Sequence, residues 1–188
     1  MKKWQKLFMV TSFMLSLTTM ANASPLIDSE KQNVTQNVIQ EAEEKHIPSY
    51  MKPNSIPKEY LMKIETTNNI LDMAQQFMGV PYVWGGSSPS GFDCSGFVQY
   101  VYRNNGIDLS RTADYQALEG EPVDKEDLQP GDLIFFAGDY VNVSHVGIYV
   151  GDGKMIHASS SKGQIAYDDL SNSYRVAHYH SARRVIVN

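Results

Sequence analysis

The sequence of 188 residues contains a single cysteine, Cys94, so no disulfide can form within the chain. Packing must therefore hold the fold, and the thiol is either a small buried apolar residue or a reactive group. After the first few residues the sequence also lacks any block of Lys or Arg, and its formal net charge is -5. These absences argue against nucleic acid and anionic membrane surfaces as partners.

Long apolar runs are absent except near the N-terminus, where residues 7–20 are mostly apolar and uncharged. This stretch is short for a membrane span. Lysines precede it and the small-x-small sequence Ala21-Asn22-Ala23 follows it, a pattern typical of a secretory signal peptide cleaved after residue 23. We therefore expect an exported protein, secreted or held in the cell wall or periplasm, with no stable membrane anchor; an uncleaved anchor is the alternative.

Composition divides the remaining chain into two parts. Residues 24–66 are rich in Gln, Asn, Glu, Ser and Lys and contain no Gly or Trp, so we interpret them as a polar linker or a pro-like segment. Residues 67–188 are long enough for one ordinary domain with a sizeable core. We predict a signal peptide over 1–23, the linker over 24–66 and one folded domain over 67–188, acting as a monomer.

The apolar spacing changes along the folded domain. Helical periodicity marks residues 68–78, 94–105 and 112–118. Short β-prone runs separated by Gly, Asp and Asn follow at residues 133–137, 146–150, 155–158, 164–167 and 184–187. Helices followed by antiparallel strands predict an α+β fold, with the N-terminal helices packed on one side of a central antiparallel sheet.

Cys94 comes where the second predicted helix begins, directly after Asp93, a favoured N-cap residue. Unpaired N–H groups and the helix dipole at that position predict a lowered pKa for the thiol. The Asp93 carboxylate would oppose this effect, so we expect it to turn away, either to cap the helix or to bind a cation. Ser95 and Gly96 keep the surroundings small and polar, which favours a reactive cysteine over a buried apolar one.

Two histidines occupy patterned positions in the strand-rich half. His145 opens one strand and His157 lies on the next, with a tight turn at residues 151–154 between them. Counted from that turn the two miss direct pairing by about three positions, so they are near neighbours. A nucleophile, a base and a residue that orients the base form the arrangement of cysteine hydrolases. A zinc site of Cys94, His145 and His157 is the competing interpretation.

Residues near the cysteine add candidates for a cleft. Tyr82 and Trp84 lie in a Gly-rich loop that could form one wall beside the helix N-terminus, although Trp84 could equally plug the domain edge. Arg111, between Ser110 and Thr112, could be an exposed neighbour of a helix cap or could reach a carboxylate. We count Arg111 among the candidate substrate-binding residues.

Six stretches, taken in order, resemble the NlpC-type cell-wall cysteine peptidases, a papain-like group. They are Gly79-Val80-Pro81-Tyr82-Val83-Trp84-Gly85-Gly86, Phe92-Asp93-Cys94-Ser95-Gly96-Phe97-Val98, Leu109-Ser110-Arg111-Thr112, Gln129-Pro130-Gly131-Asp132-Leu133, Ser144-His145-Val146-Gly147-Ile148-Tyr149 and Ile156-His157-Ala158. Any one of them is a weak signal, but together they are specific and extend from about residue 68 to the C-terminus.

The resemblance implies a papain-like fold with the nucleophilic cysteine at a helix N-terminus. In that fold Cys94 would be the nucleophile, His145 the base and His157 the third, orienting residue. Tyr82 would lie near the oxyanion and the substrate.

The resemblance also implies that Asp93 and Ser95 bind the free amino group of a peptidoglycan stem peptide. The expected activity is that of a secreted peptidoglycan hydrolase, a cysteine D,L-endopeptidase that cuts the bond between D-γ-glutamate and a diamino acid without a metal or organic cofactor. A non-catalytic muropeptide-binding module is one alternative, and an amidase or transferase acting on another amide is the second.

Overall fold

The structure, a computed structural model, describes residues 56–138 and 142–186. The predicted signal peptide and most of the predicted linker lie outside the described residues. The described helices are α1 (Lys58–Gln76), α2 (Cys94–Asn104), α3 (Ala113–Gln116) and α4 (Ser173–His178), with a 3₁₀ turn at Lys125–Asp127. Within this part of the chain, no helix combines the length and the apolar character needed to cross a bilayer.

The strands form a small hairpin and one six-stranded sheet. The hairpin pairs β1 (Ser87–Ser88) with β2 (Gly91–Phe92). The sheet contains β3 (Glu121–Val123), β4 (Leu133–Ala137), β5 (Val143–Gly151), β6 (Lys154–Ser159), β7 (Gln164–Asp169) and β8 (Tyr179–Arg184), in the order β3-β8-β4-β5-β6-β7. Every neighbouring pair is antiparallel, which confirms the predicted α+β class.

Several boundaries differ from the predictions. Helix α1 begins at Lys58, not at residue 68, and extends into the segment interpreted as linker. Its first half mixes charged with apolar residues and has no fully buried position, whereas Ile70 and Ala74 in its second half are fully buried, which is why only the second half has a clear apolar period. Strand β8 ends at Arg184, where the last strand was predicted to begin. The sequence of β8 is largely polar, so it has no apolar pattern from which the strand could be predicted.

The main core lies between helices α1, α2 and α3 and one face of the sheet. Helix α2 buries four side chains completely against it: Phe97, Val98, Val101 and Tyr102. Strand residues of the same core cluster include Phe135, Val146, Ile148 and Ile156. Each such side chain stabilises the fold by roughly 1.5–3 kcal/mol relative to an exposed one. This packing fixes the position of α2, and with it the position of Cys94.

The opposite face of the sheet carries a smaller core of Ile134, Phe136, Met155 and Leu170. Helix α4, which the sequence pattern did not predict, packs there, since the guanidinium of Arg175 lies 4.7 Å from the centroid of the Phe136 ring. The N-terminal helices thus pack on one face of the sheet, as predicted, whereas the unpredicted α4 packs on the other. A six-residue helix with mostly exposed positions has too little apolar periodicity to be recognised.

Both edges of the sheet are covered or interrupted. At the β7 edge, residues 79–82 add a short antiparallel ladder through Gly79 N to Ile165 O at 3.0 Å, Ile165 N to Val80 O at 2.9 Å and Tyr82 N to Gly163 O at 2.8 Å. At the β3 edge, Pro122 lies in the middle of the three-residue strand. The segment 79–82 along β7 places Tyr82 near the N-terminus of α2.

Candidate active site

The N-terminus of α2 is built as the sequence predicted. Asp93 is the N-cap, and its Oδ1 accepts a hydrogen bond from Gly96 N at 2.7 Å. Cys94 is the first residue of the helix. A side chain at position 96 would overlap the carbonyl oxygen of Gly86, so glycine is what allows the preceding loop to lie against this turn.

The carboxylate of Asp93 serves both purposes that were predicted as alternatives. Besides capping the helix, it forms a two-point ion pair with Arg111, with Nη1 to Oδ1 at 2.9 Å and Nη2 to Oδ2 at 2.6 Å. Gly85 N also donates to Oδ2 at 3.0 Å. Arg111 Nη1 lies 3.1 Å from Ser95 Oγ. Arg111 therefore reaches a carboxylate, and that carboxylate is Asp93.

Tyr82 belongs to the same cluster. Burial raises the pKa of its hydroxyl, and the negative charge of Asp93 and of Cys94, when the thiol is ionised, would raise it further, which places the phenol near both groups. Trp84, two residues on, is 88% exposed, so the interpretation of Trp84 as a plug of the domain edge is wrong. The structure brings Tyr82, Asp93, Ser95 and Arg111 around Cys94; their roles toward a substrate stay predictions.

The Cys94 thiol is half-buried, and burial raises its pKa. The backbone N–H of Val146 lowers this pKa, as do the N–H groups of Ser95 and Cys94 itself, while the charge of Asp93 raises it. The predicted lowering of the pKa at the helix N-terminus is therefore wrong for the resting protein, because loss of hydration outweighs the donors. The Val146 contact also shows that the sulfur lies beside the strand residue after His145.

The two predicted histidines are in direct contact. His145 Nε2 and His157 Nδ1 are 2.7 Å apart, and the rings are nearly perpendicular at 87°. His157 is fully buried, and burial lowers its pKa from 6.5 to about 3. Loss of hydration also lowers the pKa of His145 well below 6.5, with His157 as the next cause. Both imidazoles are therefore neutral at neutral pH.

A bulge brings these rings to the same face of the sheet. The ladder pairs Gly151 with Lys154 and Tyr149 with Met155, so Val150 is the extra residue. Ile148 then pairs with Ile156, which brings Gly147 opposite His157 and leaves His145 two positions away. The offset of three predicted from a regular hairpin is wrong. An even offset retains one face, whereas an odd offset would separate the rings.

Other polar residues of the site lacked a sequence signal. Gln116, in the short helix α3, is fully buried and donates from Nε2 to Ser95 O at 3.1 Å and to Ser110 O at 2.8 Å. It connects the first turn of α2 to the loop that carries Arg111. A lone Gln in a four-residue helix has no pattern that marks it. Asp168, near His157, was also missed, because a single Asp near the end of a strand has no pattern that marks it.

In the described ranges, 56–138 and 142–186, no three His, Cys, Asp or Glu side chains are arranged to hold a metal ion. A cavity of about 380 Å³ opens between α3, the start of β5 and β8; it is lined by Asp114, Ala117, Leu118, Asn142, Val143, His180, Ser181 and Arg183. None of the predicted site residues lines it. The candidate site is therefore defined by hydrogen bonds and contacts around Cys94 and not by that cavity.

The comparison with known families agrees with the resemblance found in the motifs. Residues 79–184 match the model of the NlpC/P60 family. The chain belongs to the NlpC/P60 family. The matched range begins at the segment that covers β7 and ends with β8, so it includes Cys94, His145 and His157.

One relative of known name is a peptidase. The chain is 38% identical over 139 residues to a gamma-D-glutamyl-L-lysine dipeptidyl-peptidase of Bacillus cereus, covering 73% of this chain and 40% of that protein. It thus spans two fifths of that relative's length.

Two solved structures have the same fold. An NlpC/P60 family protein of Bacillus cereus is 40% identical with a TM-score of 0.62, covering 64% of this chain and 40% of that one. The peptidoglycan hydrolase RipB of Mycobacterium tuberculosis is 26% identical with a TM-score of 0.59, covering 89% of this chain and 88% of that one. The predicted family and the papain-like α+β fold are both confirmed.

Proposed function

We propose that this protein is an exported peptidoglycan hydrolase, a cysteine endopeptidase that cuts stem peptides. The observation that carries the proposal is the bonded His145–His157 pair together with the Cys94 thiol, which lies at the first turn of α2 against the backbone N–H of Val146, the residue after His145. This is a nucleophile, a base and a residue that orients the base, held on three different elements of a rigid core. The names of the relatives, a dipeptidyl-peptidase and a peptidoglycan hydrolase, support the same class of reaction.

The pKa directions at the site favour proton transfer during attack over a preformed ion pair. The thiol and both imidazoles are neutral at rest. Because His157 occupies Nε2 of His145, Nδ1 is the ring nitrogen left to accept the proton of Cys94. As the sulfur attacks the amide carbonyl, His145 becomes an imidazolium. It then gives that proton to the leaving amine, and a thioester to Cys94 remains.

Hydrolysis of the thioester completes the cycle. His145, neutral again, accepts a proton from water as the water attacks the acyl carbon, and the proton passes to the departing sulfur. The N–H groups at the first turn of α2, together with Tyr82, are the donors we propose for the oxyanion. Each preorganised donor of this kind contributes roughly 2.7–4 kcal/mol.

We propose the amide between D-γ-glutamate and the diamino acid as the bond cut, since the Bacillus cereus relative is named for a γ-D-glutamyl-L-lysine bond. The free amino group of a short stem peptide would bind at Asp93 and Ser95. Both oxygens of Asp93 already accept hydrogen bonds, so the amine would join the Arg111 ion pair from its open side. Arg111, with 36% of its side chain exposed, marks that side.

Mass spectrometry of muropeptides tests the proposal. Purified sacculi and soluble stem peptides are incubated with the protein and, in parallel, with Cys94→Ala. We expect new fragments ending in D-glutamate in the wild-type sample alone. Full hydrolysis by Cys94→Ala would exclude Cys94 as the nucleophile, and tight muropeptide binding without any fragment would favour a binding module instead.

A further inference from the structure

Three polar side chains form a diagonal row across three neighbouring strands. His145 lies on β5, His157 on β6 and Asp168 on β7. His157 pairs with Ala166, so Asp168, two residues further along β7, projects from the same face. His157 therefore contacts His145 through Nδ1, while its Nε2 lies 3.8 Å from Asp168 Oδ2.

The Nε2 atom of His157 is buried and has no hydrogen-bond partner among the residues that the structure describes. A buried polar atom without a partner costs about 1–3 kcal/mol. A separation of 3.8 Å is too long for a hydrogen bond. The Asp168 carboxylate is nonetheless the anionic group that faces Nε2, and a negative charge at this position attracts an N–H more than a lone pair.

The carboxylate is itself held in place. Arg175 Nε donates to Asp168 Oδ2 at 2.8 Å, and Asn172 Nδ2 donates to Oδ1 at 3.2 Å. Arg175 is the buried residue of α4, and its guanidinium lies against the ring of Phe136. Lys162 Nζ lies 3.8 Å from Oδ1 on the outer side. Asp168 is thus fixed between two cations with one oxygen toward His157.

The position of one proton decides whether His145 can act as a base. To accept the proton of Cys94, His145 must have an unprotonated Nδ1, so its own proton is on Nε2 and is donated to His157 Nδ1. His157 then carries its proton on Nε2, where the N–H faces Asp168. In the opposite arrangement His157 donates from Nδ1, His145 is protonated on Nδ1, and a lone pair of His157 faces the carboxylate.

We propose that Asp168 is a positioning residue for the two histidines of this row. It keeps the proton of His157 on Nε2 and thereby holds His145 in the tautomer that accepts the thiol proton. This inference rests on the proposed function. The negative charge attracts an N–H and repels a lone pair, so the productive arrangement is favoured over the opposite one. The positive charges of Arg175 and Lys162, which also lie near His157, disfavour a second proton on its ring and keep the ring neutral.

Nitrogen NMR of the wild-type protein tests the tautomer without any activity measurement. The protein is labelled with ¹⁵N-histidine, and long-range ¹⁵N–¹H spectra are recorded at neutral pH. We expect protonated Nε2 and unprotonated Nδ1 on both His145 and His157. A protonated Nδ1 on His157 would overturn the proposal, whatever the variants do.

Asp168→Asn tests the cause. The amide keeps the size of the side chain but removes the charge, and its N–H₂ can donate to Nε2, so we expect the tautomer of His157 to shift toward Nδ1–H. The value of kcat should fall, by at most the roughly 10⁴-fold that follows when Asn replaces a directly hydrogen-bonded triad Asp, with KM unchanged. The matched control is Asp169→Asn, the same change at the exposed neighbour, which should keep both the tautomer and kcat.

An Asp168→Asn variant that retains wild-type kcat and tautomer would refute the role of the carboxylate. If Asp168→Asn does not fold, the wild-type spectrum alone decides. If the wild-type protein cuts no muropeptide, the proposed function fails, and the spectra of the wild-type protein and Asp168→Asn still show whether Asp168 sets the proton of His157.

Discussion

At the scale of single residues, Gly147 makes room for the histidine pair. A Cβ at this position would lie 2.7 Å from Met155 Sδ and 3.3 Å from the Cβ of His157. Neither Met155 nor His157 is exposed, so neither can move into solvent. The absence of a side chain at Gly147 therefore leaves the space in which Met155 and His157 pack against β5.

We expect Gly147→Ala to lower the free energy of unfolding by about 1–3 kcal/mol through overpacking and to reduce muropeptide cleavage by displacing His157. Urea denaturation and kcat measure the two effects. Gly138→Ala is the matched control, since a Cβ there meets only Ser144 Oγ at 3.7 Å. Equal stability and activity of the two variants would show that the contact at position 147 does not constrain the pair.

The Cys94 thiol gives a second prediction at this scale. Because burial raises its pKa, the rate of alkylation by iodoacetamide should be low at neutral pH and should rise with pH to a midpoint above that of an ordinary thiol. Since Cys94 is the single cysteine, the rate reports on one site. A midpoint below that of free cysteine would mean that an ion pair with His145 outweighs burial.

At the scale of elements, the N-terminus of α2 depends on Asp93 for both a cap and an ion pair. Asp93→Ala removes the acceptor of Gly96 N and the carboxylate that pairs with Arg111. Asp93→Asn keeps an acceptor for Gly96 and removes only the charge. The two variants therefore separate capping from charge pairing.

We expect Asp93→Ala to be less stable than Asp93→Asn by about 0.5–2 kcal/mol, the usual value of an N-cap. Urea denaturation of the wild-type protein and both variants measures this difference. If the two variants have the same stability, the cap contributes nothing and the ion pair accounts for the whole effect.

The elements themselves differed in how well they could be predicted. Helix α2 was predicted almost to its ends, because Asp93 caps it and its buried residues recur at helical spacing. The offset of the two histidines could not be derived, since the bulge at Val150 depends on how β5 and β6 pair and leaves no mark in the sequence. Asp168 and Gln116 act through tertiary contacts, which local patterns do not contain.

At the scale of the whole molecule, the buried His157 makes stability depend on pH. Its folded pKa of about 3 lies below the unfolded value of 6.5. Between these values the unfolded chain binds more protons than the folded one, so stability falls as pH decreases from 6.5 toward 3. The groups that face His157 are His145, Asp168, Lys162 and Arg175.

We expect the free energy of unfolding to decrease by an amount on the order of a few kcal/mol over this range. Urea denaturation at several pH values measures it. His157→Gln should have a shallower dependence than the wild-type protein, whereas the exposed His180→Gln should keep the wild-type slope. A His157→Gln variant with an unchanged slope would show that other groups cause the loss at low pH.

The segment 79–82 has two structural roles, and a single substitution in it would disturb both. It carries Tyr82 toward Cys94, and its backbone occupies the donors and acceptors of β7. An open strand edge is a template on which another chain can add a strand, and such addition leads to aggregates. A substitution that loosens this segment would therefore move Tyr82 away from Cys94 and expose the edge of β7 to neighbouring molecules. Catalysis and solubility would then be lost together.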